Sequence, residues 1–264
     1  MLSYLKNLSP LSKLTLSLIT PVIGINLYNP AMEKISNILY LHSQNYAFKK
    51  MPKRIILVRH GESEGNVQGN LYAKIPDHRL KLTERGKKQA SKAGIKLKKI
   101  IKNESVKFYV SPYLRTQETY TQIVKSFNCN KKTSTLDHRI REQEFGNFHH
   151  IEEETFEEMR KVGKFYYRFT NGENGADVYD RASLFLDSLF REIKDIDYKK
   201  YDNIVIVCHG LFMRLFMMNF LKYTIEQFDL LATPHNCEFW IIEKNERGKY
   251  QLISELKNEE NNLN

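Results

Sequence analysis

Two stretches of the chain, Ile55–Val58 (Ile-Ile-Leu-Val) and Ile204–Val207 (Ile-Val-Ile-Val), are apolar at every position and only four residues long. A strand with one wet face would alternate, and an amphipathic helix would interleave polar residues. Short unbroken runs of this kind mark strands buried on both faces of a parallel sheet. Helical periodicity fills the spaces around them. Residues 84–102 carry Ala90, Ala93, Leu97, Ile100 and Ile101 at helical spacing, and a strand at Phe108–Val110 leads into a helix over Leu114–Phe127. A longer helix over Ala176–Ile193 has the stripe Val178, Ala182, Phe185, Leu186, Leu189 and Phe190. A helix over 211–221 follows the second apolar strand, and Phe239–Ile242 and Gln251–Ser254 form a final strand pair joined by the turn Asn245–Gly248. Alternation of this kind predicts an α/β fold: three αβα layers with a mainly parallel central sheet.

Composition narrows the classes that remain. The chain has 264 residues, with 41 Lys and Arg against 31 Asp and Glu, a formal charge of +10. Its 15 Phe and 15 Tyr exclude a disordered chain, and its 27% charged residues exclude a multi-span membrane protein. The positive excess does not mark a nucleic-acid surface. Residues 1–50 hold five Lys and one Glu, a net of +4, and ten further basic residues lie in Lys81–Lys107, with no stacking aromatics interleaved. That run is a solvated helix face, so no nucleic-acid partner is expected. Cys129, Cys208 and Cys237 show no CxxC spacing, which speaks against a disulfide framework or a zinc site and for a reducing compartment, the cytoplasm.

Three regions follow: an extension at 1–50, a main domain at 51–256 and a polar tail at 257–264. Leu14–Tyr28 is nearly all apolar or small, but Pro21 and Gly24 interrupt it and it is shorter than the ~20 residues of a membrane-spanning helix. An organellar or secretory targeting peptide, an interfacial helix touching a membrane, and an extra helix packed on the domain all fit it.

Ligands of open α/β sheets bind outside the carboxyl ends of the strands. Three predicted strand ends deliver polar residues to that edge. Arg59, His60, Gly61, Glu62 and Ser63 follow Val58; Ser111, Pro112, Arg115 and Thr116 follow Val110; Cys208, His209 and Gly210 follow Val207. Two imidazoles and two guanidiniums on one crevice suit a small phosphate monoester, because planar arginine forks match phosphoryl oxygens. One histidine can take the phosphoryl group on a ring nitrogen, while the other donates a proton to an equatorial oxygen. Glycine after each histidine lets the backbone turn sharply and approach the ligand. Fixed cations then do the electrostatic work of a metal, so neither metal nor cofactor is expected. The leaving alcohol needs a proton, and within Arg139–Gly146 either Glu142 or Glu144 could supply it; their spacing leaves both open.

These residues form a recognisable set. Arg59-His60-Gly61-Glu62-Ser63 with Asn66, then Leu82-Thr83 and Gly86, then Ser111-Pro112-Tyr113-Leu114-Arg115-Thr116, then His209-Gly210, resembles the histidine phosphatase (phosphoglycerate mutase-like) superfamily from about Lys53 to Glu243. The resemblance implies that fold, His60 as the phosphorylated nucleophile, His209 as the second pocket histidine, and Arg59 and Arg115 as phosphate-binding arginines. It also implies that Ile140–Gly146 matches the family's Leu-Arg-Glu-x-x-Phe-Gly stretch, which selects Glu142 over Glu144 as the proton donor, and that Asn66 contacts substrate. Gly61, Ser63, Gly210 and His78, the last at the pocket mouth, complete the expected substrate-binding set.

Within the superfamily, Arg141–Phe148, Phe165–Phe169 and Ala176–Arg181 look most like a plant and fungal branch that includes broad-range acid phosphatases. Glycolytic mutases carry Glu-Arg-His-Tyr-Gly where this chain has Glu142-Gln143-Glu144-Phe145-Gly146, and a longer basic insert where Glu152–Glu158 supplies five acidic residues. A mutase must hold both phosphates of a bisphosphate, so the departure favours hydrolysis of phosphate monoesters. The alternatives are a phosphoglycerate mutase interconverting 3- and 2-phosphoglycerate, and a catalytically weak phospho-ligand or protein-binding module. His149 and His150, being adjacent, point apart on extended chain and do not make a metal site.

Overall fold

Six strands form one mixed sheet in the computed structural model, which describes Ile35, Ile38 and residues 50–127, 132–146, 153–195 and 200–256. They are β1 (Arg54–Arg59), β2 (Val106–Val110), β3 (Lys132–Leu136), β4 (Asn203–Cys208), β5 (Phe239–Lys244) and β6 (Tyr250–Leu252), in the order β3-β2-β4-β1-β5-β6. The first four are mutually parallel; β5 runs antiparallel to β1, and β6 antiparallel to β5. Among the described residues from 51 onward the α-helices are α1 (Glu64–Val67), α2 (Glu84–Ile101), α3 (Leu114–Val124), α4 (Glu153–Val162), α5 (Gly175–Lys194), α6 (Gly210–Leu221) and α7 (Ile225–Leu230).

The continuous apolar runs are explained by what lies above and below the sheet. Side chains alternate along each strand, so a strand covered on both faces must be apolar at every position. On one face Ile55 and Leu57 of β1 and Ile204 and Ile206 of β4 pack with Phe185, Leu189, Phe212 and Phe216 of α5 and α6. On the other, Ile56, Val58, Val205 and Val207 pack with Ala93 and Leu97 of α2 and Ile123 of α3. The lysines of α2 lie away from its buried stripe of Gly86, Ala90, Ala93, Gly94, Leu97 and Ile101.

Three departures from the expected elements have local causes. Strand β3 is Lys-Thr-Ser-Thr-Leu, an edge strand bonded to β2 alone, and an edge strand needs no apolar run. Helix α3 closes at Val124 and not Phe127: Ser126 and Phe127 bond the carbonyls of Ile123 and Val124, a tightening typical of a last turn. Helix α4, which carries three glutamates in its first half, begins in the acidic run Glu152–Glu158, whose charge masks a helical apolar periodicity as strong as that of α2 and α5.

Contacts divide the chain into two units, Met1–Lys50 and Met51–Asn264. In the first, Ile35, Ile38 and Lys50 are helical. The apolar segment Leu14–Tyr28, Cys129, the His149-His150 pair and the tail from 257 lie outside the described residues. Among the described residues, no helix is long and apolar enough to cross a membrane.

The sheet order assembles the site. Strands β2, β4 and β1 are immediate neighbours, and the ladder continues one residue beyond each: His60 N donates to Cys208 O at 3.0 Å, and Ser111 N to Val207 O at 3.0 Å. His60, Ser111 and His209, far apart in sequence, therefore emerge side by side at one edge.

Candidate active site

The rings of His60 and His209 lie with centroids 5.3 Å apart, both buried. Nδ1 of His60 is 2.7 Å from Gly61 O. A carbonyl only accepts, so Nδ1 carries the hydrogen and Nε2 of the neutral ring keeps its lone pair. Burial, with Arg115 and then Arg59 nearby, holds His60 well below the ordinary imidazole range against the opposing bond to Gly61. His209 is depressed likewise, by burial first and then by Arg115. Its Nε2 meets Ser111 Oγ at 2.7 Å.

Each arginine is clamped at one end and open at the other. Arg59 Nη1 donates to Pro234 O at 2.6 Å, while Nε is buried with no partner among the described residues. Arg115 forks onto Asp77, Nη1 to Oδ1 at 2.6 Å and Nη2 to Oδ2 at 3.2 Å, and its Nε is likewise buried and unpartnered. Nδ1 of His209 is a third such atom. Buried nitrogens of this kind are costly to leave unbonded. Three of them beside His60 make a cradle for an anion.

Glu142 faces this cluster and Glu144 does not. Its carboxylate accepts from the backbone N–H groups of Leu211 and Phe212 at 3.3 and 3.2 Å, in the first turn of α6, and from its own neighbour Gln143 at 3.1 Å. Its recessed position raises its pKa; Arg115, those backbone bonds and Arg59 oppose the rise. Accessible surface still leaves Glu142 partly open, so it is recessed and not sealed. The neighbouring arginines bond elsewhere: Arg139 pairs with Asp137, and Arg141 with Glu173. Glu144 is exposed.

The remaining expected residues take different places. A Cβ on Gly61 would come within 2.6 Å of Gly86 O, so the packing of α2 against this loop demands a glycine there. A Cβ on Gly210 would lie 2.9 Å from Thr233 Cγ2 and 3.4 Å from Arg59 Nε, so that glycine leaves room for the arginine. Neither has a positive φ. Ser63 is fully buried and bridges Leu82. Asn66 is exposed, its Oδ1 accepting from Ser63 N at 3.1 Å and from Asn236 Nδ2 at 3.3 Å. His78 is exposed and lies 6.4 Å, centroid to centroid, from Tyr113.

Four supporting residues escaped the sequence reading. Arg181 of α5 donates to the carbonyls of Arg139, Arg141 and Glu142 and to both oxygens of Glu173, which fixes the loop carrying Glu142. Thr119 Oγ1 accepts from Gly61 N at 3.0 Å. Asp77 holds Arg115. Tyr113 stands between Arg115 and His209, its ring 4.9 Å from the guanidinium carbon and 5.0 Å from the imidazole. A buried arginine on a helix, such as Arg181, was the available signal.

A cavity of about 380 Å³ adjoins the cluster, bounded by residues 72–78, by Glu144–Gly146 and by Tyr113. None of the two histidines, the two arginines or Glu142 lines it; Tyr113 and Asp77 join it to them.

Known proteins carry the same architecture. An Escherichia coli structure described as a putative alpha-ribazole-5'-P phosphatase superposes with a TM-score of 0.60 at 19% identity, over 79% of this chain and 97% of that one. A mycobacterial glucosyl-3-phosphoglycerate phosphatase does so with a TM-score of 0.59 at 19% identity, over 78% and 99%. By sequence, a phosphoglycerate mutase-like protein of Arabidopsis thaliana is 42% identical, over 80% of this chain and 81% of its own length. A broad-range acid phosphatase of Saccharomyces cerevisiae is 28% identical, over 78% and 90%. The family model described as "Histidine phosphatase superfamily (branch 1)" matches residues 55–255 and so spans both histidines, both arginines and Glu142. The chain belongs to that superfamily.

Proposed function

We propose that the protein is a metal- and cofactor-independent phosphatase that hydrolyses phosphate monoesters through a phosphohistidine at His60. The observation that carries this reading is the set of three buried, unpartnered nitrogens, Arg59 Nε, Arg115 Nε and His209 Nδ1, around a neutral imidazole. Donors fixed in advance and aimed at one place stabilise charge that develops there.

The chemistry proceeds in two steps. His60 Nε2 attacks phosphorus, the P–O ester bond breaks, and its electron pair leaves on the alcohol oxygen, which takes the proton of Glu142. Water then attacks phosphohistidine, the N–P bond breaks back to neutral His60, and Glu142 removes a proton from the water. Arg59, Arg115 and His209 bind the transferred group throughout. Burial suits both groups to their tasks, since the nucleophile must be unprotonated and the acid must keep its proton.

Hydrolysis fits better than mutase transfer, because a mutase must hold a second phosphate and the cavity beside the cradle is edged by the carboxylate of Glu144, unneutralised among the described residues. The test is turnover of p-nitrophenyl phosphate by the wild type and by His60→Ala. Loss of turnover in a folded variant supports the proposal; undiminished turnover overturns it. Conversion of 3- to 2-phosphoglycerate with a bisphosphate primer, at a rate exceeding hydrolysis, would establish the mutase instead.

A further inference from the structure

We infer that the cavity beside the phosphate cradle takes a leaving group that carries a flat, uncharged ring and no second anionic group, an inference that rests on the phosphatase reading and names its substrate class. Continuity with the cradle comes first. Tyr113 lines the cavity and also touches Arg115 and His209; Asp77 lines it and forks onto Arg115. A phosphoryl group held by those side chains projects its alcohol into this space, and a volume of about 380 Å³ suits a small organic group.

The walls select the alcohol. Tyr72, Tyr113 and Phe145 supply three aromatic rings, with Ile75 and Pro76 beside them. Aromatic faces favour a flat ring, offset or edge-on, beyond the area it buries. Charge points the same way. Of the described lining residues, Glu144 and Asp77 are anionic and Lys74 alone carries an ammonium. Burial, then Asp77, then Glu144 keep the Tyr113 hydroxyl protonated, so it stays a neutral donor. A second phosphate or a carboxylate would meet the Glu144 carboxylate in this space, while the Asp77 carboxylate is taken up by Arg115.

Non-hydrolysable phosphonates test the cavity apart from turnover. The full chain is titrated calorimetrically with 2-phenylethylphosphonate, butylphosphonate and 3-carboxypropylphosphonate. The expected order is phenylethyl tighter than butyl by about tenfold, with carboxypropyl weakest. In Phe145→Leu, which keeps bulk but removes a ring, the phenylethyl advantage should shrink to about a third or less. Affinities for phenylethyl and butyl within twofold of each other, or carboxypropyl tightest, would overturn the inference. So would a phenylethyl advantage undiminished in both Phe145→Leu and Tyr72→Leu. If the expected order holds while the protein turns over no phosphate monoester, the cavity assignment stands and the phosphatase reading fails.

Discussion

At the scale of single residues, activity turns on where protons sit. His60 is held below its ordinary value of 6.5 and Glu142 above its ordinary value of 4.5. Activity is lost on the acid side when His60 gains a proton, and on the alkaline side when Glu142 loses one. Phosphomonoesterase activity should therefore be bounded by an acid limb below 6.5 and an alkaline limb above 4.5. Glu142→Gln should remove the alkaline limb. It should also slow hydrolysis of an alkyl phosphate by about 10²-fold or more, yet slow the initial burst of p-nitrophenol far less, since that alcohol leaves without help. An unchanged pH profile in Glu142→Gln would exclude it as the acid. Stability carries the same signature with its own sign. Both histidines bind protons less readily folded than unfolded, so the unfolded chain takes up more protons below 6.5 and stability falls as pH drops through that value. Thermal melts across pH should show this slope, and His60→Gln should flatten it. The histidines and arginines were legible because each follows an apolar strand. Asp77 was not, because a carboxylate in a surface-like Pro-Asp-His turn gives no sign that it holds a buried arginine.

At the scale of elements, the site depends on a loop tied to a helix. Arg181 of α5 bonds three successive parts of the 139–142 segment, and Glu173 binds Arg181, Arg141 and the Glu144 amide. Removing one partner of a buried, hydrogen-bonded ion pair is costly. Arg181→Met should thus destabilise the fold by about 3 kcal/mol, measured by urea unfolding, and lower kcat more than it raises KM because Glu142 drifts. A stability loss with kcat intact would show that the loop holds itself. Gly61 is an element-scale residue too. Its Cβ would strike the backbone of α2, so Gly61→Ala should cost about 1–3 kcal/mol even though alanine touches no ligand. Sequence placed the long periodic helices α2 and α5 within a residue or two of their ends, because burial of one face dictates their pattern. It missed β3, an edge strand that needs no apolar run, and α4, whose helical period sits inside a highly charged stretch.

For the whole molecule, a sheet closed by helices on both faces presents a cradle of fixed cations at one edge. Turnover should persist in excess EDTA, since the arginines supply the charge. Inorganic phosphate, the expected product, should raise the melting temperature by about 5–10 °C at 100 times its Kd. In Arg115→Ala that rise should largely vanish; a full rise there would place the anion elsewhere. The layer order followed from the alternation of apolar runs and helical periods, which makes the fold legible as a whole. Spacing alone left Glu142 and Glu144 both open as the proton donor and only the resemblance selected Glu142; what separates them is three-dimensional, since the amides of Leu211 and Phe212 meet Glu142 and Glu144 is exposed. Of the adjoining cavity, assembled from residues 72–78, Tyr113 and Glu144–Gly146, only His78 was legible as a residue of the pocket mouth, because the other walls come from three separate stretches of sequence.

The most direct test is chemical trapping. The full chain, mixed with labelled p-nitrophenyl phosphate and quenched within milliseconds, should carry acid-labile, alkali-stable phosphate on the peptide containing His60, and the label should be absent from His60→Ala. Steady turnover with no phosphate trapped on His60, or full activity in His60→Ala, would contradict the account.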